Sequence, residues 1–240
     1  MFSDNQKEDP QLGFLSTLKK TDFDARNVRL WQIDGEPSKL ARENSASPNS
    51  SLDELENTIR ESKKLFATMQ YVYGIKVVSM DLRRSVNMEG QEVIFTLVDK
   101  INGQNLSEIK VLPEEAKVEL ETMYLSLGQY YLDAWKQKFK YWGDVRNDQF
   151  VYGSKEGEVG KAFYITDVDP EFYHENDDEW HTIQAVLGSI CHDLVENENK
   201  FKSKVRLELA RAKLLSIIKE ILEQDPNQKM LIAAKGWLEN

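Results

Sequence analysis

Residues 141 to 153 read YWGDVRNDQFVYG: Asp144 stands behind Gly143, four mostly polar residues follow, then the amide of Gln149 and a short aromatic and β-branched run. Further on, a hydrophobic run enters Ile165-Thr166-Asp167-Val168-Asp169. Carboxylates are the groups that take a proton from a reacting hydroxyl or hold a divalent cation. They are equally favoured in turns, where they bond nearby backbone N–H groups. The choice between chemistry and turn-capping depends on whether the fold brings Asp144 and Asp167 together.

Other constellations carry less. FYHENDDEWH offers His174, Glu175, Asp177, Asp178, Glu179 and His181 as metal ligands, but without a zinc spacing such as H-E-x-x-H; Asp177 or Asp178 reads as the start of a helix. Cys191 and His192 are adjacent, and neighbouring helical residues point about 100° apart, so a thiolate–imidazole pair is not expected. One cysteine forms no internal disulfide, which suits a reducing compartment. The opening MFSDNQKEDPQLGF lacks the features of a signal peptide, and no apolar stretch is long enough for a membrane span, so a cytoplasmic location is expected, with no membrane partner. A formal charge of −10 disfavours phosphate backbones. The basic residues at Lys136, Lys138 and Lys140, and at Lys200, Lys202, Lys204 and Arg206, fall in helical segments as solvated faces, and no nucleic-acid partner is expected.

The positioning elements follow from periodicity. Ser51 and Glu54 have capping-box spacing, and Leu52, Leu55, Ile59, Phe66 and Met69 predict a helix over 52–69. Before it, RLWQI and SKLAR flank DGEP in a hairpin at 29–42; after it, IKVVSMDLRR and EVIFTLVDKI flank a turn at Gly90. Asn102-Gly103 predicts a second turn. A long helix runs from Pro113 to near Phe139, with Leu120, Tyr124, Leu127, Tyr131 and Trp135 on one face. QFVY and AFYIT form a short hairpin, and the stripes from Ile183 to Leu194 and Leu207 to Ile221, with KMLIAAKGWL, are helical. The order is that of an α+β chain: an N-terminal extension over 1–26, a small strand-rich N-lobe with one long helix over 27–101, and a mainly helical C-lobe with a short β-hairpin over 102–240.

In motif and order this resembles the protein-kinase-like fold, which includes protein kinases and aminoglycoside-phosphotransferase-like small-molecule kinases. There a catalytic loop H-[RG]-D-x-x-x-x-N is followed, after a short hairpin, by D-F-G or D-x-D; here Trp142-Gly143-Asp144, Gln149 and Asp167-Val168-Asp169 take those places. The resemblance implies ATP and magnesium, with Asp144 beside the acceptor hydroxyl and Asp167, Asp169 and Gln149 at the metal. It also implies a hinge whose backbone, around Val98 and Lys100, pairs with adenine, and a strand lysine, Lys39, held by Glu56 or Glu61 of the following helix.

Three departures accompany it. No G-x-G-x-x-G lies near the N-terminus to fold over phosphates, Gln149 replaces an asparagine, and Trp142 replaces the usual histidine. The resemblance therefore implies a degenerate nucleotide-binding kinase-like protein, a weak or atypical phosphotransferase. A second reading is a pseudokinase-like module that recognises a protein partner without catalysis. A third is an unrelated α+β protein in which Asp144 and Asp167 lie far apart.

Overall fold

The run EVIFTLVD supplies alternating bulk to two faces and becomes an interior strand. The computed structural model describes residues 10–20, 30–168, 173–174, 182–201 and 207–240. In it β1 (Leu18–Lys20), β2 (Leu30–Ile33), β3 (Glu36–Asn44), β4 (Met80–Val86) and β5 (Glu92–Asp99) form an antiparallel sheet in the order β1-β2-β3-β5-β4. Gly35 and Gly90 take positive φ in the β2–β3 and β4–β5 turns, where the sequence predicts both hairpins. The helix α2 (Leu52–Tyr73) lies between β3 and β4 in sequence and runs four residues beyond its predicted end. Its capping box forms: Glu54 N–H donates to Ser51 Oγ at 3.2 Å, and Ser51 N–H donates to Glu54 Oε2 at 2.7 Å.

Strand register sorts the side chains of this sheet. Successive residues point to opposite faces. Lys39 opposite Asp99, Ala41 opposite Leu97 and Glu43 opposite Phe95 share one face, and the rows Leu40–Val98–Met80, Arg42–Thr96–Leu82 and Asn44–Ile94–Arg84 share the other. The first face is covered by Phe14 of α1 (Pro10–Leu15) and by Leu18; the Phe14 ring meets Phe95 edge-on at 5.2 Å and lies 4.0 Å from the Arg83 guanidinium. The second face carries Arg84, which pairs with Asp53 and, at 3.0 Å, with Glu56 of α2.

The chain divides into two units, Met1–Arg60 with Val78–Lys100, and Glu61–Val77 with Ile101–Asn240. The division between Lys100 and Ile101 adjoins the expected boundary, but the second half of α2 falls in the second unit. That unit holds β6 (Ile101–Asn105), α3 (Glu114–Gln137), β7 (Tyr141–Trp142), β8 (Phe150–Lys155), β9 (Ala162–Ile165), β10 (Tyr173–His174), α4 (Ile183–Lys200), α5 (Glu208–Gln224) and α6 (Lys229–Glu239). Leu120, Tyr124, Leu127 and Tyr131 of α3, Leu187, Ile190 and Leu194 of α4, and Leu214, Ile217 and Ile221 of α5 are buried, as their stripes predict. The α+β class, strand-rich first and mainly helical second, is as expected. No helix among the described residues is long and apolar enough to cross a membrane.

One predicted element is overturned. Asn102-Gly103 is not a turn: both residues lie in β6, paired with β8, and Gly103 faces Gly153. A Cβ on Gly103 would stand 2.2 Å from Tyr152 O, and one on Gly153 would stand 2.5 Å from Asn102 O. Glycine is required there by close backbone approach, which a turn dipeptide and a tight strand crossing satisfy equally well in sequence.

Candidate functional site

The loop from Gly143 to Gln149 is fastened at its start by α3. Trp142 N–H donates to the Tyr130 hydroxyl at 3.2 Å, and the Tyr131 hydroxyl donates to Trp142 O. The Trp142 ring is buried edge-on against Phe66 and Phe150, so the tryptophan in place of a histidine is a packing residue that fixes where the loop begins. At the other end, a 3-10 turn over Asn147–Gln149 leads into β8, and Asn105 Nδ2 donates to Asp148 O at 2.6 Å.

The hairpin then returns the chain. Phe150 faces Ile165 across β8 and β9, and Thr166 N–H donates to Gln149 O at 3.2 Å, which brings the residues after Ile165 back beside the loop. Ile165 is tied on its other side to Lys76 O at 2.9 Å. Asp167 follows directly, and its charge is among the causes that raise the pKa of Asp144. The two carboxylates are thus electrostatic neighbours within the second unit. The reading in which they lie far apart is not supported by this geometry.

Asp144 is 11% exposed at its side chain and accepts from Gln149 Nε2 at 2.6 Å and from Arg146 Nε at 2.9 Å. Burial pushes its pKa up; the Arg146 cation pulls it down, and the charges of Asp167 and Asp148 push it up again. A carboxylate held by an amide and a cation yet kept more basic than usual is suited to accept a proton. Gln149 is buried, and its amide nitrogen orients Asp144, a role that its candidacy as a metal ligand did not anticipate. Asp169 lies outside the described residues, as do the side chains of the FYHENDDEWH cluster.

The strand lysine expectation is corrected. Lys39 Nζ pairs with Asp99 at 2.6 Å and donates to Ser79 Oγ at 3.2 Å, while Asp99 also accepts Ser79 N–H at 2.9 Å. Lys39 lies on the face of β3 opposite the one that meets α2, so the pairing with Glu56 does not form. Glu56 instead accepts from Arg60 at 2.6 Å and from Arg84 at 3.0 Å, and Glu61 pairs with Lys140 at 3.4 Å. The basic residue of β3 on the face toward α2 is Arg42, which sequence reasoning passed over. Parity with Arg84 across β5 identifies it, and only the register supplies that parity.

The two residues expected at the hinge lie at the end of the first sheet. Val98 is an interior-strand residue facing Leu40 and Met80, and Lys100 N–H donates to Ser38 O at 2.7 Å. The Val98 backbone thus belongs to the ladders of an interior strand, and the Lys100 N–H is taken by Ser38 O.

Among solved structures, the MAP kinase LmaMPK10 from Leishmania major is similar over 93% of this chain and 68% of its own, at 10% sequence identity and a TM-score of 0.47. A likeness that loose carries no assignment by itself. No family model and no curated protein matches the chain.

Proposed function

We propose that this chain is a protein-kinase-like nucleotide-binding protein whose site is centred on Asp144 and Asp167, with ATP and magnesium as its ligands and at most weak phosphoryl transfer. The observation that carries the reading is the return of the hairpin, which sets Thr166 N–H on Gln149 O and brings Asp167 back to the loop of Asp144, whose pKa is raised by burial and further by the Asp167 charge. Carboxylate and amide oxygens are the hard ligands suited to a divalent cation. Asp167 and the amide oxygen of Gln149 would hold the ion, together with Asp169. When bound, magnesium supplies neutralising charge to the phosphates of ATP. The chain's own part is to keep Asp144 oriented through Gln149 and basic through burial, so that it receives the proton of an acceptor hydroxyl at its carboxylate. The order of elements supports the same reading: a sheet, a helix with acidic residues after β3, then the aspartate loop, a hairpin and a second aspartate.

The second reading, a binding module without catalysis, is favoured by one feature. Lys39, the residue expected to reach phosphate, is occupied by Asp99, and no glycine-rich loop compensates for it. A thermal-shift titration separates the two. Magnesium-dependent elevation of the midpoint by ATP in the full chain, abolished in Asp167→Asn, is the expected result, since a ligand that binds only the native state stabilises it by mass action. An unchanged midpoint at millimolar nucleotide overturns the nucleotide reading and leaves the binding module.

A further inference from the structure

A second set of buried polar groups lies where α4 meets the aspartate loop. Asn197 is fully buried, and its Nδ2 donates to Asn147 Oδ1 and to the Tyr124 hydroxyl, each at 2.8 Å. Asn147 Nδ2 donates to Glu196 Oε2 at 3.4 Å, and the Asn147 backbone N–H donates to Asp193. Residues 193, 196 and 197 stand three and four apart, on one helical face, and all three converge on Asn147. Asn147 lies between Asp144 and Gln149 in the loop.

Two oxygens in this cluster, Asp193 Oδ2 and Asn197 Oδ1, are buried without a hydrogen-bond partner. Buried acceptors without donors are costly. A proton on Asp193 Oδ2 turns that atom from an acceptor into a donor, and Asn197, whose Oδ1 lacks a donor, stands one helical turn along. We propose that Asp193 and Asn197 are positioning residues that clasp Asn147, and through it set the place of Asp144 and Gln149, with a proton on Asp193 closing the clasp. The meaning of the loop's placement rests on the functional reading above, whereas the clasp itself is independent of it.

The surroundings of Asp193 agree. Tyr124 faces it from α3 and the uncharged Asn147 faces it from the loop, while Glu196, Cys191 and His192 stand beside it on α4; Trp237 of α6 meets the His192 ring edge-on at 5.5 Å and brings no charge. Burial and then the Glu196 charge push Asp193 up to about 6, against the pull of His192 and of the Asn147 N–H.

Backbone and side-chain amide signals of Asn147 and Gln149, followed by nuclear magnetic resonance in the full chain from mildly acid to mildly alkaline pH without nucleotide, test the clasp. The expected result is a titration step at the Asn147 amide with a midpoint near 6, shared by the Gln149 side-chain amide. Asp193→Asn keeps the acceptor for Asn147 and supplies a permanent donor, so the step vanishes at both residues. Glu196→Gln removes a raising charge at an exposed position, so the midpoint falls. A step that persists in Asp193→Asn, a flat Asn147 amide in the wild type, or no step at Gln149 overturns the proposal. Should Asp193→Asn not fold, an unmoved midpoint in Glu196→Gln overturns it instead. The absence of an ATP–magnesium response leaves each of these outcomes unchanged, so the clasp and the nucleotide reading fail separately.

Discussion

Asp144 sits between opposing influences, and each is removable. Its folded pKa is raised, so the ionised form is less welcome in the native state than in the unfolded chain, and stability falls as pH rises through the window above the ordinary value of 3.8. Asp167→Asn removes one raising charge, and the carboxyl carbon of Asp144, followed by nuclear magnetic resonance, is expected to titrate at lower pH than in the wild type. Gln149→Leu takes away a buried donor and is expected to cost about 1–3 kcal/mol in urea unfolding while moving Asp144 further up. Lys39 and Arg42 separate by face. Lys39→Met leaves Asp99, 5% exposed at its side chain, without its cation, and is expected to lower stability by about 2 kcal/mol without changing the ATP-induced increment.

At the scale of elements, the facing glycines of β6 and β8 make a sharp test. A methyl at either position meets backbone and not a flexible side chain, so Gly103→Ala and Gly153→Ala are each expected to cost at least about 2 kcal/mol in denaturant unfolding. Ser51→Ala removes half of a capping box and is expected to cost about 1 kcal/mol at neutral pH. Helices and hairpins were legible because each leaves a local period: the stripe of α3, the capping box of α2 and the turn glycine at Gly90 are all within one element. What was not legible depends on partners far along the chain. Asn102-Gly103 has the composition of a turn, and only its pairing with Tyr152-Gly153 makes it a strand. Lys39 and Arg42 are three residues apart in the same short basic stretch, and the register of β3 on β5 alone decides which shares a face with Arg84, the partner of Asp53 and Glu56. The spacing of Asp144, Gln149 and Asp167 was visible in sequence, whereas the donation from Gln149 and the convergence of α4 on Asn147 were not. Neither contact has a sequence interval that marks it.

For the whole molecule these groups combine into one pH dependence. Asp144 and Asp193 both carry raised values, and their charging costs stability as pH rises from 3.8, through about 6 for Asp193. Glu54 and Glu56 are lowered, the first by its cap and the second by Arg60, so their stabilisation is present above the ordinary glutamate value and fades as pH falls below it. Glu54 is exposed and Glu56 lies at the surface beside two arginines, so both are screened and contribute less. The net charge of −10 adds self-repulsion that grows with deprotonation. Stability is therefore expected to peak near the ordinary glutamate value and to decline as pH rises from there to about 6. Salt separates the two origins of the decline. Repulsion among exposed charges is screened, and a buried carboxylate is not, so at high ionic strength the residual decline is that of Asp193 and Asp144. Urea unfolding across pH at low and high salt is the measurement. The wild type is expected to keep its decline in high salt and Asp193→Asn to lose most of it, while a decline that salt alone abolishes would assign the effect to surface charge and leave Asp193 without a share in it.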